Sequence, residues 1–550
     1  MNLILLMMNL DSIKVYEHLP EVITTAKEYD FRNQLDMNTF IRIRRFRNIP
    51  ALFDDTKYAI MSIGGVAPVF DALSVRGGGI ADNLIMINGI PLHSPGYRVM
   101  HFLPIDMDNV EYIEFYRGNM PPSYEGFTSS VMKLKLTSRE YTKVGLVNFS
   151  GNIRGFHWDL FYPSLFFSPN FKMNNFFTSY TTGIASALYI RDFLRVNRAT
   201  FYGENDTLKL FLRDNQTWGA SLEMGMLSLG LSHEKRYTKT ITFLQGESEY
   251  SSDKTMVQLI VDADRWGTNI QFHRYVFHPD ENWIYDSLNL GRTFTSISLY
   301  YRTGTFTSIG LSYFSQGKVL PLIRAGYKHF VDSTTAIRIF FGTSNQGFIS
   351  MGYPLFEKYI SKNRVSTGYA LIIGLEKLTH NKALQIEGFL RYFRPYYSIL
   401  ALLFPVNPEV PTNKMFTSIP IVTIGMDLNM QDFRNSNMNV SLTLQRSLFT
   451  RNWKPTPFDI RYVFNFHYKY FSAMFVDGIM RWDVLLSSDS MSNSREHPMY
   501  IYSFMFPFRC KGFQFRVGIY NFIPQPRPDD ELSAIYRAFP IPILSVKREF

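Results

Sequence analysis

The chain has a single cysteine among 550 residues, which excludes an intrachain disulfide and any cysteine-based metal site. Cys510 stands at the edge of the apolar run at residues 499–508 and reads as a packing residue. Long apolar runs are also missing. The longest, at residues 396–406 and 369–375, fall well short of the roughly 18 residues a membrane-crossing helix needs. A bilayer could then be crossed only by a closed barrel, the other structure that satisfies every backbone group in lipid. Signatures of catalysis are absent too. There is no HExxH and no GxSxG, and Val75-Arg76-Gly77-Gly78-Gly79 lacks the Lys-Ser/Thr that completes a phosphate loop. The glycine run reads instead as a tight turn needing positive φ. These absences point away from an enzyme and imply no cofactor and no metal. The net charge of +10 is dispersed, apart from Arg42, Arg44, Arg45 and Arg47. With no recognition module beside it, the charge does not indicate nucleic acid. It suits a solvated surface or phosphorylated lipid.

What the chain has in excess is aromatic side chains. Tyrosine (33), phenylalanine (49) and tryptophan (6) make 16% of it, a load that suits two water–lipid boundaries. It also has alternation. Met438, Val440, Leu442 and Leu444 alternate with Asn439, Ser441, Thr443 and Gln445. Phe513, Phe515, Val517 and Ile519 alternate with Gln514, Arg516 and Gly518. Leu384, Ile386, Leu390 and Tyr392 oppose Gln385, Glu387 and Arg391. Period two is the mark of strands with one apolar face. Segments of about ten residues match a tilted bilayer crossing better than the roughly five or six of a soluble sandwich strand. Composition changes near residue 140, after which almost everything reads this way. Between 20 and 24 strands fit into residues 142–550, leaving short turns and moderate loops. The expectation is a mainly β chain: an antiparallel transmembrane barrel of about 22 strands, filled by a small mixed α/β N-terminal plug.

Three N-terminal stretches resemble the plug of TonB-dependent outer-membrane receptors. Leu19-Pro20-Glu21-Val22-Ile23-Thr24-Thr25-Ala26 is similar to the family's EVVVTA segment. Val75-Arg76-Gly77-Gly78-Gly79 through Asn83-Leu84-Ile85-Met86-Ile87-Asn88-Gly89-Ile90-Pro91 resembles VRGGG…NLILLDGVPVYNP. Asn109-Val110-Glu111-Tyr112-Ile113-Glu114-Phe115-Tyr116-Arg117-Gly118, with Tyr124-Glu125-Gly126 and Ser129-Ser130-Val131 beyond it, resembles VELYKGGFPARYGGRLSSVLDI. Order and spacing agree across all three. The chain ends on Phe550, as outer-membrane barrels usually do. Asn88 stands where the family has Asp, Glu125 where it has Gly, and Arg548 where an apolar residue is commoner. Residues 1–16 show no basic leader and no small-residue cleavage site, so they make a poor signal peptide. The reading is that the true start is missing. They resemble the tail of a carboxypeptidase-regulatory-like domain that often precedes this plug.

The resemblance implies an N-terminal extension at 1–39, a plug at 40–140 and a barrel at 141–550. It implies uptake of a scarce ligand driven through periplasmic TonB, with ExbB and ExbD. Partners would be outer-membrane lipid, an extracellular ligand and a surface lipoprotein. Glu21, Val22, Ile23, Thr24, Thr25 and Ala26 would contact TonB by strand addition. Arg76 and Arg117 would lock the plug onto inward-facing barrel carboxylates, for which alternation offers Glu223 and Glu387. His93, Tyr97, Arg98 and His101 lie in a stretch resembling a ligand-facing loop. A passive or signalling-only barrel and an outer-membrane enzyme are the alternatives.

Overall fold

The computed structural model describes residues 38–41, 60, 63–69, 72–78, 82–92, 109–118, 120–137, 141–146, 149–152, 157–161, 171–200, 207–242, 246–263, 265–279, 291–303, 307–315, 317–346, 365–379, 382–393, 420–432, 438–450, 453, 458–468, 471–480, 497–510, 513–524 and 541–548. The first seven strands are β1 (Asn38–Ile41), β2 (Val66–Val69), β3 (Ala72–Val75), β4 (Asn83–Ile87), β5 (Ile90–Leu92), β6 (Val110–Arg117) and β7 (Ser130–Leu136). Five of them form one sheet in the order β1-β6-β7-β4-β5, and β2 and β3 form a separate pair. Among the described residues only β4 and β7 run parallel. Every residue of β4 is buried, as expected of a strand covered on both faces. Of the helical part expected for this plug, the described residues hold a 3-10 turn at Pro122–Tyr124 and single helical residues at Ile60, Asp82 and Asn109.

The remaining strands, twenty-two among the described residues, run from Tyr141–Leu146 to Ile541–Arg548 and close into one antiparallel barrel. From Phe171–Thr181 onward each pairs with the next in sequence. The seam is different. Ile541–Arg548 pairs with His157–Phe161, which pairs with Phe149–Asn152, which pairs with Tyr141–Leu146, which pairs in turn with Phe171–Thr181. At one mouth the strands of this meander are joined by two to five residues; at the other, up to 27 separate them. Short turns at the periplasmic end and long connections outside are the asymmetry of bacterial outer-membrane barrels.

The direction of burial identifies the solvent of the outer face. In Ser308–Phe314, Ile309, Leu311 and Tyr313 are exposed while Ser308, Ser312 and Phe314 are buried. Apolar out and polar in is the reverse of a water-soluble sheet. It is stable only where the outside is hydrocarbon. Tyr180, Trp266 and Tyr301 stand at the short-turn end of their strands, and Tyr189, Trp218 and Tyr369 mark the opposite boundary. Most strands exceed the expected ten residues, reaching 18 in Thr207–Met224. Along that strand the row Met224, Leu222, Ala220, Trp218 gives way to Gln216 and Asp214. The extra length therefore rises past the aromatic boundary into water. Among the described residues no helix is long and apolar enough to cross a membrane.

Candidate functional site between plug and barrel wall

The turn joining β3 to the rest of the plug is built by its sequence. Arg76 (φ 46°) and Gly77 (φ 77°) both take the left-handed region, and Gly78 N–H donates to Val75 O at 2.9 Å. Arg76 bears a cost of about 1–2 kcal/mol there. Gly77 is required, because a Cβ at that position would run into the hydroxyls of Thr423 and Ser447 on the barrel wall. The turn thus pushes Arg76 into the wall with its backbone close behind.

Arg76 and Arg117, the last residue of β6, are both fully buried. Arg76 Nε and Nη2 donate to Asp427 Oδ2 at 2.9 and 2.7 Å, and Nη2 also bonds Glu387. Arg117 Nη2 reaches Glu387 Oε2 at 3.1 Å and Nη1 reaches Asp427 Oδ2 at 3.4 Å. The arginines are tied to each other as well, since Arg76 Nη1 donates to Arg117 O at 2.9 Å. Glu387 and Asp427 are directly opposed across neighbouring strands, Lys382–Phe393 and Ile421–Asp432. Two like charges at that separation are tolerable only with cations between or beside them. Glu387 also accepts from Arg338 and, at 2.6 Å, from Gln385 Nε2, and Arg338 in turn holds Glu376. The guanidinium of Arg76 lies 4.6 Å from the centroid of the Phe389 ring. Burial works to lower the pKa of Arg76, but Asp427 and Glu387 carry it above the ordinary arginine value. At Arg117 burial prevails against Glu387, and Arg76 beside it adds to the lowering. The pair is a charge-assisted latch of planar donors on carboxylates, with Arg76 the tighter member.

Of the residues expected here, the structure brings Arg76, Arg117 and Glu387 together. Glu223 is not part of the latch. It lies beside the turn at Gly225, where it meets Lys135 of β7 at 3.5 Å and packs against Gly89. Its facing follows the alternation, but its strand, Thr207–Met224, stands nine strands round the barrel from the Lys382–Phe393 strand of Glu387. Asp427 faces inward by the same alternation, but no motif marks it as a partner. For Arg391 the alternation shows only the facing. Its Nη1 donates to Val75 O and Arg76 O at 2.8 and 3.0 Å, and its Nη2 to Thr128 O at 2.6 Å. A barrel arginine therefore grips three plug carbonyls. Glu21 to Ala26, and His93, Tyr97, Arg98 and His101, lie outside the described residues.

Asn88 and Gly89 form the left-handed pair of the β4–β5 hairpin (φ 47° and 79°). The amide uses both ends: Oδ1 accepts Leu136 N–H and Nδ2 donates to Thr181 Oγ1, each at 2.8 Å. An aspartate could not donate in this way. Glu125, the other departure, is buried, and burial pushes its carboxyl up to about 7 despite Arg324 at 3.1 Å.

Residues 41–130 match the TonB-dependent Receptor Plug Domain family. No curated protein matches in sequence. Among solved structures, the ferric enterobactin receptor of Pseudomonas aeruginosa aligns with TM-score 0.61 at 11% identity, over 95% of this chain and 99% of its own. The FrpB iron transporter of Neisseria meningitidis aligns at 0.60 and 10%, over 93% and 98%. The siderophore receptor PirA of Pseudomonas aeruginosa aligns at 0.55 and 12%, over 94% and 100%. At such identities the alignments speak for the fold alone, and the family comes from the plug. With that plug latched inside a 22-stranded barrel, the chain has the plug domain and the architecture of a TonB-dependent outer-membrane receptor.

Proposed function

We propose that this receptor takes up a scarce ligand by active transport, with the Arg76/Arg117 latch as the element that TonB-delivered force must open. The carrying observation is the burial of both arginines against Glu387 and Asp427. A lumen of 22 strands is wide enough to leak unless filled, and a passive pore has no use for a buried ionic closure. A receptor that must open reversibly does, because such bonds hold tightly when dry and lose strength when water enters. In this reading the chain is a transporter rather than an enzyme. Glu21, Val22, Ile23, Thr24, Thr25 and Ala26 supply the strand that TonB pairs with, and ExbB and ExbD energise it. The structural neighbours named for siderophores and iron make ferric siderophores the first ligand class to try; a surface lipoprotein partner would favour larger ligands.

The test is uptake of a panel of radiolabelled ferric siderophores into cells with and without the receptor and with and without TonB. Ile23→Pro removes a backbone donor from the pairing strand. Uptake should fall to the TonB-deficient level while surface binding of the same siderophore persists. Binding without TonB-dependent accumulation would favour a signalling-only barrel, and accumulation indifferent to TonB a passive one.

A further inference from the structure

The barrel wall forks between two neighbouring strands, and a plug residue stands in the fork. The ladder joining Lys318–Phe330 to Thr335–Gln346 runs from Phe330 opposite Ala336 and ends at Arg324 opposite Gly342. Beyond that pair, among the described residues, 318–323 and 343–346 share no backbone pairing. Each segment keeps its other neighbour. Residues 318–323 stay paired with Ser308–Phe314, as far as Lys318 opposite Phe314. Residues 343–346 stay paired with Ser366–Leu378, as far as Gln346 opposite Ser366.

The sequence explains where the ladder stops. Continued in register, it would set Pro321 opposite Asn345, and proline has no N–H to give. Side chains take the place of the missing backbone bonds. Ile323 N–H donates to Thr343 Oγ1 at 2.9 Å, and Asn345 Nδ2 donates to Pro321 O at 3.0 Å. From the next strand, Thr367 Oγ1 donates to Asn345 Oδ1 at 2.9 Å. The backbone N–H of Asn345 is left over, and the plug supplies its acceptor. Glu125 Oε1 accepts that N–H, while Oε2 accepts from Arg324 Nη2 at 3.1 Å, at the last paired position of the ladder. Asn269 Nδ2 and Gln271 Nε2 donate to the Glu125 carbonyl at 2.9 and 2.6 Å, so two further wall residues aim the carboxylate.

The fork opens towards hydrocarbon. Val319, Pro321 and Ile323 are exposed on the outer face, as is Leu311 opposite Pro321 and Phe341 just below the fork on the other strand. Thr343 is level with Tyr369, at the outer aromatic boundary. An unpaired backbone N–H is costly there, because lipid holds no water to accept it. The glycine usual at the position of Glu125 has no side chain to reach it.

We propose that Glu125 is a sealing residue of the barrel wall, which is closed between Lys318–Phe330 and Thr335–Gln346 only while the plug is seated. Without that carboxylate the fork becomes a lateral slot through which an amphiphile of the outer leaflet reaches the lumen. The seal stands whether or not TonB moves the plug.

The test uses the full receptor in phosphatidylethanolamine–phosphatidylglycerol liposomes, with Cys510→Ser removing the native thiol. Ser344→Cys places a thiol at a buried position in the fork. Ser298→Cys places one at a buried position paired on both sides, opposite Asn269 and Ser312. The probe is N-pyrenylmaleimide, which partitions into the bilayer. With Glu125 present, both thiols should react slowly. In Glu125→Gly, labelling at Ser344→Cys should quicken about tenfold, the factor that one net hydrogen bond is worth, with Ser298→Cys unchanged. Glu125→Gln keeps an oxygen that accepts the Asn345 N–H and should label as slowly as the unaltered residue. If Glu125→Gly does not assemble, Glu125→Ala carries the measurement. Unchanged labelling at Ser344→Cys means that the fork is closed without Glu125, and faster labelling at both positions means that Glu125 holds the whole plug. Either result overturns the seal, as does Glu125→Gln labelling as fast as Glu125→Gly.

Discussion

At the scale of single residues, the latch is a balance of charges with little to spare. Two plug guanidiniums and Arg338 converge on Glu387, whereas Asp427 answers to the plug arginines only. Glu387→Gln therefore strands more buried cation than Asp427→Asn. The first should destabilise plug docking by on the order of 3–5 kcal/mol and the second by less. The urea midpoint of plug release, followed by a fluorophore on the plug, checks the order, as does entry of a large antibiotic into cells; equal losses would contradict the asymmetry. Much of this site was legible beforehand. Arg76 and Arg117 stand beside glycines in a recognisable plug pattern, and alternation turned Glu387 inward. Glu223 shared that facing and still was not a partner, and Asp427 was a partner that no motif marked. Period two fixes which face a residue takes. Which carboxylates meet depends on register, here the direct opposition of Glu387 and Asp427, and register is a property of two strands.

At the scale of elements, the same periodicity has a sharper consequence. Arg338 and Ile339 are neighbours in the strand Thr335–Gln346, one held between Glu376 and Glu387 and the other exposed on the outer face beside Tyr327 and Ile373. A guanidinium is native at one position and intolerable one step away. Ile339→Arg should cost about 2–4 kcal/mol if the position lies near mid-bilayer, and less towards a boundary. Urea titration of folding into liposomes measures it; a neutral result would mean that this face meets protein or water. Strand existence and facing were readable because an aliphatic outer row against a polar inner row is a strong pattern. Strand length was not, because the upper parts of the strands turn polar on both faces, and an alternation rule stops counting where the apolar row ends.

At the scale of the molecule, the plug is the only described part that fills the lumen, and its hydrophobic core is completed by the wall: Met256 packs with Leu84, Met86, Tyr116 and Phe127. A barrel expressed without residues 38–137 should conduct as a wide open pore in planar bilayers, while the intact receptor stays closed. Closure of the shortened form would show that barrel side chains alone block the passage. The approximate strand number could be read from the spacing of the alternation, but not the order at the seam, where three short strands are inserted between the last strand and Phe171–Thr181. That seam also governs biogenesis. His157 pairs with Lys547, 390 positions later, so the circle is completed only when almost the whole chain has been made. Contacts so distant in sequence form late, whereas the plug leaves the ribosome first. On that order, the plug is expected to be captured by an unclosed sheet. Its buried arginines then find Glu387 and Asp427 before the last five residue pairs shut the wall behind them, so the cargo gate is sealed in by the same event that completes the vessel.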